Sequence, residues 1–333
     1  MAAKRGFIAR LLGDDRAPDE GTPGHGAPML AQWLPYRSFD RKTEIFYQTN
    51  SIGFTLEVAP LVGADERTGE ILAQFLSEGL PPASRVQILA FQSPRVGQTI
   101  ARYALPRFAA GGVHRKIAEH RSKFLAEAAW TSLSADGPFH VRQHRVILSV
   151  SFKLGKGTLD ELITVRESIT SLLQSIDISV ARFSPIELMA LIDDLTAPAF
   201  DVSDHQVEYS ELDPIADQCV RRDVQTVVGP DRILVSVEPL RAVTTLAGDT
   251  EYEEIRPDTF DYRFFSVRNF PKRWAPWDSQ KLIGDMFSDK LRPGCPTVTS
   301  LCLRYQDEDA ASSKAGYKFM RTSSLADSKS ARL

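Results

Sequence analysis

Three strings in this 333-residue chain hold residue types that do chemistry in other proteins. Gly155-Lys-Gly-Thr158 has the glycines, lysine and hydroxyl of a phosphate cradle. A nucleotide loop reads G-x-x-x-x-G-K-[ST], because its amides and lysine surround the phosphates and its hydroxyl reaches magnesium. Here Val150 stands where the first glycine belongs and Gly157 where the hydroxyl belongs, so the string is read as a turn between a strand and a capped helix. Leu188-Met-Ala-Leu-Ile-Asp-Asp194 imitates an acidic strand end that holds a metal, but Pro185 opens a helix there and no phosphate loop precedes it. His140 and His144 would share a helical face as ligands, yet the residues from Val141 to Val150 are strand-like and no Glu or Cys completes a site.

Nucleophilic chemistry is no better supported. No Gly-x-Ser-x-Gly elbow occurs, and Cys219, Cys295 and Cys302 form neither an even disulfide set nor a C-x-x-C pattern. No catalytic, cofactor or metal residue is therefore assigned in this chain.

Binding residues are more numerous. His114, Arg115, Lys116, His120, Arg121 and Lys123 sit on one helical stretch beside Phe124, Leu125 and Trp130, a pattern that either grips phosphates of DNA or lipid or is a solvated face. Tyr262, Phe264, Phe265, Phe270, Trp274 and Trp277 alternate with Arg263, Arg268, Lys272 and Arg273. Aromatics and arginine supply area and directional bonds at interfaces, and alternating aromatics equally fill cores. Phe270, Trp274 and Trp277 are the expected protein contacts. At the amino terminus, Phe7 with Leu11 and Ile8 with Leu12 share a helical face among Lys4, Arg5 and Arg10. Phe7 and Leu11 are the expected surface-anchoring residues, with docking on the domain or a partner as the alternative.

These residues need elements to hold them. The stretch from Gly13 to Pro28 reads as a flexible connector. Strands are expected over 53–58, 85–91, 141–152 and 178–183, with helices over 65–77, 96–130 and 185–195. The second of these helices is broken at Gly111-Gly112. Thr158-Leu-Asp-Glu161 is a capping box that opens a further helix, with an apolar face from Leu159 to Leu173. The order β-α-β-α-β-α-β specifies an α+β (mixed α/β) fold with helices packed on a mixed β-sheet. Residues 1–28 are read as a basic amphipathic segment and linker, 29–196 as an α/β domain and 197–216 as a linker. A β-richer portion follows over 217–305, with strands at 233–237, 262–267 and 297–303, and then a polar tail over 306–333. That tail lacks a cap or closing strand, which suits a chain stopped inside a longer protein as well as a natural short form.

Composition adds little. Net charge is −3, with 43% hydrophobic and 25% charged residues, so a sizeable core can form and charge alone marks no nucleic-acid stripe. Sparse cysteine suits a reducing cytoplasm, and the apolar run of the first residues is too short for a membrane span.

Longer runs carry a resemblance. Ser51-Ile-Gly-Phe-Thr-Leu-Glu-Val-Ala-Pro-Leu-Val-Gly-Ala-Asp-Glu66 is preceded by Trp33-Leu-Pro-Tyr-Arg-Ser-Phe-Asp40 and followed by Phe75-Leu-Ser-Glu-Gly-Leu-Pro-Pro-Ala-Ser84 and Phe91-Gln-Ser-Pro94. Asn269-Phe-Pro-Lys-Arg-Trp274 and Gly284-Asp-Met-Phe-Ser-Asp-Lys-Leu-Arg-Pro-Gly-Cys-Pro296 come later in the same order. Together they resemble the amino-terminal region of the TraC family, the pilus-assembly ATPases of F-type conjugative type IV secretion systems. The resemblance implies a docking module at the cytoplasmic face of the bacterial inner membrane. Its implied partners are the inner-membrane channel proteins and further copies of itself, with peripheral membrane contact and with pilus assembly and DNA transfer as the outcome. ATP and magnesium are implied for the full-length family, whose motor lies beyond the matched region, and no cofactor is implied within this chain. The competing classes are an ATP-dependent motor with its nucleotide domain beyond residue 333 and a DNA-binding module using the basic helix.

Overall fold

A computed structural model describes residues 30–61, 66–82, 84–135, 137–196, 208–220, 224–228, 232–237, 258–266, 293–305, 312–313 and 316–317. After a short 3-10 turn at Leu30–Trp33, the chain forms β1 (Tyr36–Asp40), β2 (Ile45–Gln48), β3 (Ser51–Val58), α1 (Glu66–Glu78) and β4 (Ser84–Ser93). Two consecutive helices follow, α2 (Gly97–Ala110) and α3 (Gly112–Glu127), and then β5 (Gln143–Lys153), α4 (Leu159–Ser175), β6 (Val180–Arg182), α5 (Pro185–Thr196) and α6 (Ile215–Cys219). The last described strands are β7 (Val224–Val228), β8 (Arg232–Val237), β9 (Asp258–Arg263) and β10 (Val298–Arg304).

The main sheet has the order β1-β2-β3-β5-β4-β10, with β6 also on β3. Along one edge of β3, β2 pairs with its first residues and β6 with its last, Leu56 to Val58. Every pairing among the described strands is antiparallel, so the sheet is not mixed, although the α+β class holds. The physical reason is that β4 and β5 run side by side and the helices between them leave and return at the same end. No crossover of the kind a parallel pair needs is made there.

Period-2 alternation sorts the core onto two faces. Ile52, Phe54, Leu56, Val86, Val150 and Phe152 pack under α1 and α4, which contribute Leu72, Phe75, Leu162 and Ile169. Phe46, Phe91 and Ile147 face the other way, onto Leu188, Met189 and Leu191 of α5 and Ile215 and Cys219 of α6. β3 alternates in sequence yet is buried on both faces, because its polar residues find partners on β5: Thr55 meets the Ser149 hydroxyl at 3.1 Å and Glu57 the Arg145 guanidinium at 2.8 Å. Gly53 lies where a Cβ would come within 2.7 Å of the Val150 carbonyl oxygen, so that position admits little more than hydrogen.

The expected capping box is present: Thr158 Oγ1 accepts from the Glu161 amide at 3.2 Å and Glu161 returns a carboxylate to the Thr158 amide at 2.9 Å. Beneath α4, the buried Arg166 donates to the carbonyl oxygens of Thr43 and Glu44, tying the β1–β2 turn to the helix.

The strand expected at 262–267 lies at 258–263 instead, because Phe260 and Tyr262 are paired with Val235 and Ile233, leaving Phe264 and Phe265 past its end. The residues of the β-richer portion divide between two sheets. β7, β8 and β9 form their own, whereas β10 extends the main sheet along β4. β1, β2 and β7, each four or five residues long, had no counterpart among the expected strands. So few residues carry too little alternation to register.

Candidate interaction surface

The α2–α3 pair is inserted between two neighbouring strands. β4 ends at Ser93, β5 begins at Gln143, and these two residues are partners in the ladder, so the helices form an arm with both ends at one point of the sheet. The helices pack chiefly against each other. Ala104 and Ala118 are the buried residues of the two helices, and their small side chains let the backbones approach. Arg107 stacks over the Tyr103 ring at 3.9 Å and Arg121 at 5.2 Å, holding cations on an aromatic face of the arm. The turn at the tip needs Gly111 and Gly112 because both have positive φ, 68° and 54°. Leu105, Phe108, Val113, Ile117 and Phe124 remain exposed.

The foot of the arm is held by buried charge. Arg95, two residues before α2, pairs with Asp193 at 2.9 Å and lies 3.6 Å from Asp194. Ser93 Oγ donates to both Asp194 carboxylate oxygens, at 2.9 and 2.7 Å, and accepts from the Arg95 amide. From β5, Arg145 forks onto Glu57 of β3 at 2.8 and 2.9 Å and reaches Asp194 at 3.6 Å. Burial raises the Asp194 pKa against the pull of the Ser93 hydroxyl, Arg95 and Arg145. Burial also weighs against the Arg145 charge, yet Glu57 and Asp194 hold its pKa above the ordinary value. Tyr262 of β9 completes the joint, donating its hydroxyl to the Leu195 carbonyl at 2.6 Å. On the return path, Val141 donates its amide to Ala128, and Arg142 donates to Ala129. Beside this foot a shallow cleft of about 310 Å³ is lined by Ile100, Tyr103, Leu125 and Val141 among others.

The expected sites fall differently. Asp193 and Asp194 lie on the last turn of α5 with arginine partners, as a helix reading requires. The Gly155–Thr158 string is the β5–α4 turn, with Gly155 at φ 76° and Gly157 against the Phe152 ring. His144 is exposed near the start of β5 while His140 lies before that strand, and no group of three or more His, Cys, Asp or Glu among the described residues is arranged to hold a metal. Phe7, Leu11, Phe270, Trp274 and Trp277 lie outside the described residues. Of the aromatic cluster, Tyr262 turns inward while Phe264 and Phe265 are exposed. Arg95, Arg145 and Glu57 escaped the sequence reading, since nothing in their local pattern signals a partner about a hundred residues away.

The sequence matches the TraC protein family (TraC_F_IV) over residues 30–333. The chain belongs to the TraC family. The family resemblance read from its long runs is thereby established. It is 23% identical over 306 residues to Protein TraC of Escherichia coli (strain K12), across 88% of this chain and 33% of that protein. The chain thus spans about a third of the length of the curated relative it matches. Within this TraC-family chain, the runs that carry the resemblance build the frame: Ser51–Val58 is the central strand, and Phe91-Gln-Ser-Pro94 leads into the foot of the arm. Among the described residues no helix is long and apolar enough to cross a membrane.

Proposed function

We propose that this chain is an interaction and docking module of a TraC-like conjugative secretion ATPase. It holds to inner-membrane channel components at the cytoplasmic face and to other copies of itself, in support of pilus assembly and DNA transfer. The observation that carries this reading is the α2–α3 arm, fixed rigidly at its foot and open along its apolar side chains. A helix pair that served only the core of its own fold would bury such residues. Exposed Phe264 and Phe265 support a second contact, continued by Phe270, Trp274 and Trp277, while Phe7 and Leu11 are proposed to aid peripheral anchoring.

Nucleotide chemistry is assigned elsewhere, since the chain has no G-x-x-x-x-G-K-[ST] loop, and ATP with magnesium belongs to the full-length family. A second reading, a motor protein whose nucleotide domain lies outside these residues, is favoured by the relative's threefold greater length. The intact mass of the native protein tests that second reading. A mass well above 37.0 kDa supports the motor with this chain as its docking part, and a mass near 37.0 kDa supports a non-catalytic assembly factor.

The docking reading is tested by solubilising membranes of cells that carry the whole conjugation machinery and identifying what co-purifies with the tagged protein. Recovery of inner-membrane channel proteins, lost on replacing residues 97–127 with a short linker, is the expected result. Equal recovery by both forms overturns the role of the arm, and recovery of none overturns docking.

A further inference from the structure

We infer that the exposed face of α3 is a lipid contact, lying on an anionic bilayer surface. Val113, Ile117 and Phe124 are separated by four and seven residues, which puts them on one face, and they are 70%, 52% and 57% exposed. Lys116 and Lys123, seven apart, align beside that stripe, and Arg121 borders its other side. This is the arrangement of a helix lying in the interface plane, with its apolar residues among acyl chains and its basic residues at the phosphates.

The charge agrees. Residues 97–127 hold six Arg and Lys against two Glu, a net of +4 in a chain whose total is −3. The arm is therefore a basic part of a chain whose remaining residues sum to a negative charge. Acidic lipid headgroups attract it while repelling the remainder, which orients the protein with the arm down. At the tip Leu105, 63% exposed, and Phe108 flank Gly111 and Gly112, whose missing side chains let the turn approach a surface closely. The ionic foot gives the contact a fixed direction relative to the sheet.

The assignment rests on the docking reading in placing the chain beside a membrane and shares the arm with it, and the two can fail separately. Vesicles of phosphatidylcholine with and without phosphatidylglycerol are sedimented with the full chain. Binding to the anionic vesicles alone, weakening as salt rises, is expected. Lys116→Glu with Lys123→Glu should weaken it by about 30-fold or more, at about 1 kcal/mol per basic residue. Ile117→Ser with Phe124→Ser should weaken it by about 10-fold or more. All four positions are exposed, so the thermal midpoint should not move. Ile117→Trp should tighten binding, because indole favours the interface, which guards against reading a damaged fold as lost contact. Removing residues 1–12 should leave binding in place.

Absent binding, equal binding to neutral vesicles, or variants that bind like the parent overturn the assignment. So does loss of binding on removing residues 1–12, which would move the contact to Phe7 and Leu11. Binding of the arm to duplex DNA or to a second copy through these residues, without vesicle binding, overturns it also. Lost vesicle binding with channel proteins still co-purifying would sink the lipid contact and leave docking standing.

Discussion

Arg95 and Asp193 meet at 2.9 Å with side chains only 7% and 8% exposed, joining the strand end that launches the arm to the last turn of α5. Asp194 and Arg145 continue the network into the sheet. Its members lie on β3, β4, β5 and α5 and their loops, so the foot of the arm is set by the same contacts that close one face of the core.

Asp194→Ala removes the carboxylate shared by Ser93, Arg95 and Arg145. Two buried guanidinium groups then lose part of their compensation. A loss of about 1–3 kcal/mol is expected, since Arg95 keeps Asp193 and Arg145 keeps Glu57 and the cost is that of buried hydrogen bonds left unmade. Urea unfolding measures it, and a change under about 1 kcal/mol would show the cluster to be energetically idle.

Gly53→Ala places a methyl 2.7 Å from the Val150 carbonyl in the paired strand. β3 and β5 must separate or twist locally to admit it. A destabilisation of about 1–3 kcal/mol is expected, as in other overpacked cores. A shift of the urea midpoint at constant slope would confirm it.

Thr158→Ala deletes one half of the capping box and leaves the Glu161 amide without its acceptor. About 1 kcal/mol should be lost. Because this turn is a helix cap and not a phosphate cradle, nucleotide should not raise the thermal midpoint of parent or variant; a nucleotide-dependent rise in the parent that Thr158→Ala abolishes would contradict that assignment.

Cys219 is buried between α6 and the sheet, and burial pushes its thiol up to about 12. Since the raised value keeps the neutral thiol, the thiolate fraction at pH 9 is only about one in a thousand, and the buried sulfur is also shielded. Cys295 and Cys302 are exposed. In the folded chain a maleimide should label those two within minutes, and label Cys219 only on unfolding. Mass spectrometry of the labelled peptides reads the difference, and equal labelling of all three would show that α6 opens readily.

Local pattern was enough wherever neighbours in the chain decide the outcome. The Thr158-Leu-Asp-Glu161 cap, the Pro185 helix start and the Gly111-Gly112 break each act within a few residues, so the helices were legible. The long alternating strands β4 and β5 were legible too, and the extended runs around β3 were enough for the family. β1 and β2 were not, for four or five residues carry little period of their own and are held by their neighbours in the sheet.

The sequence by itself determined the α+β class and the TraC family, because these rest on residue order and short-range hydrogen bonding. Only the tertiary structure decided that β10 joins β4 from about 200 residues away, and that Asp193 and Asp194 answer Arg95 and Arg145. It alone separated Ala118, buried against α2, from Ile117, open to solvent on the same helix. Spacing names the faces of a helix or strand, but which face is covered depends on distant segments meeting in space, and that is set by packing of the whole chain.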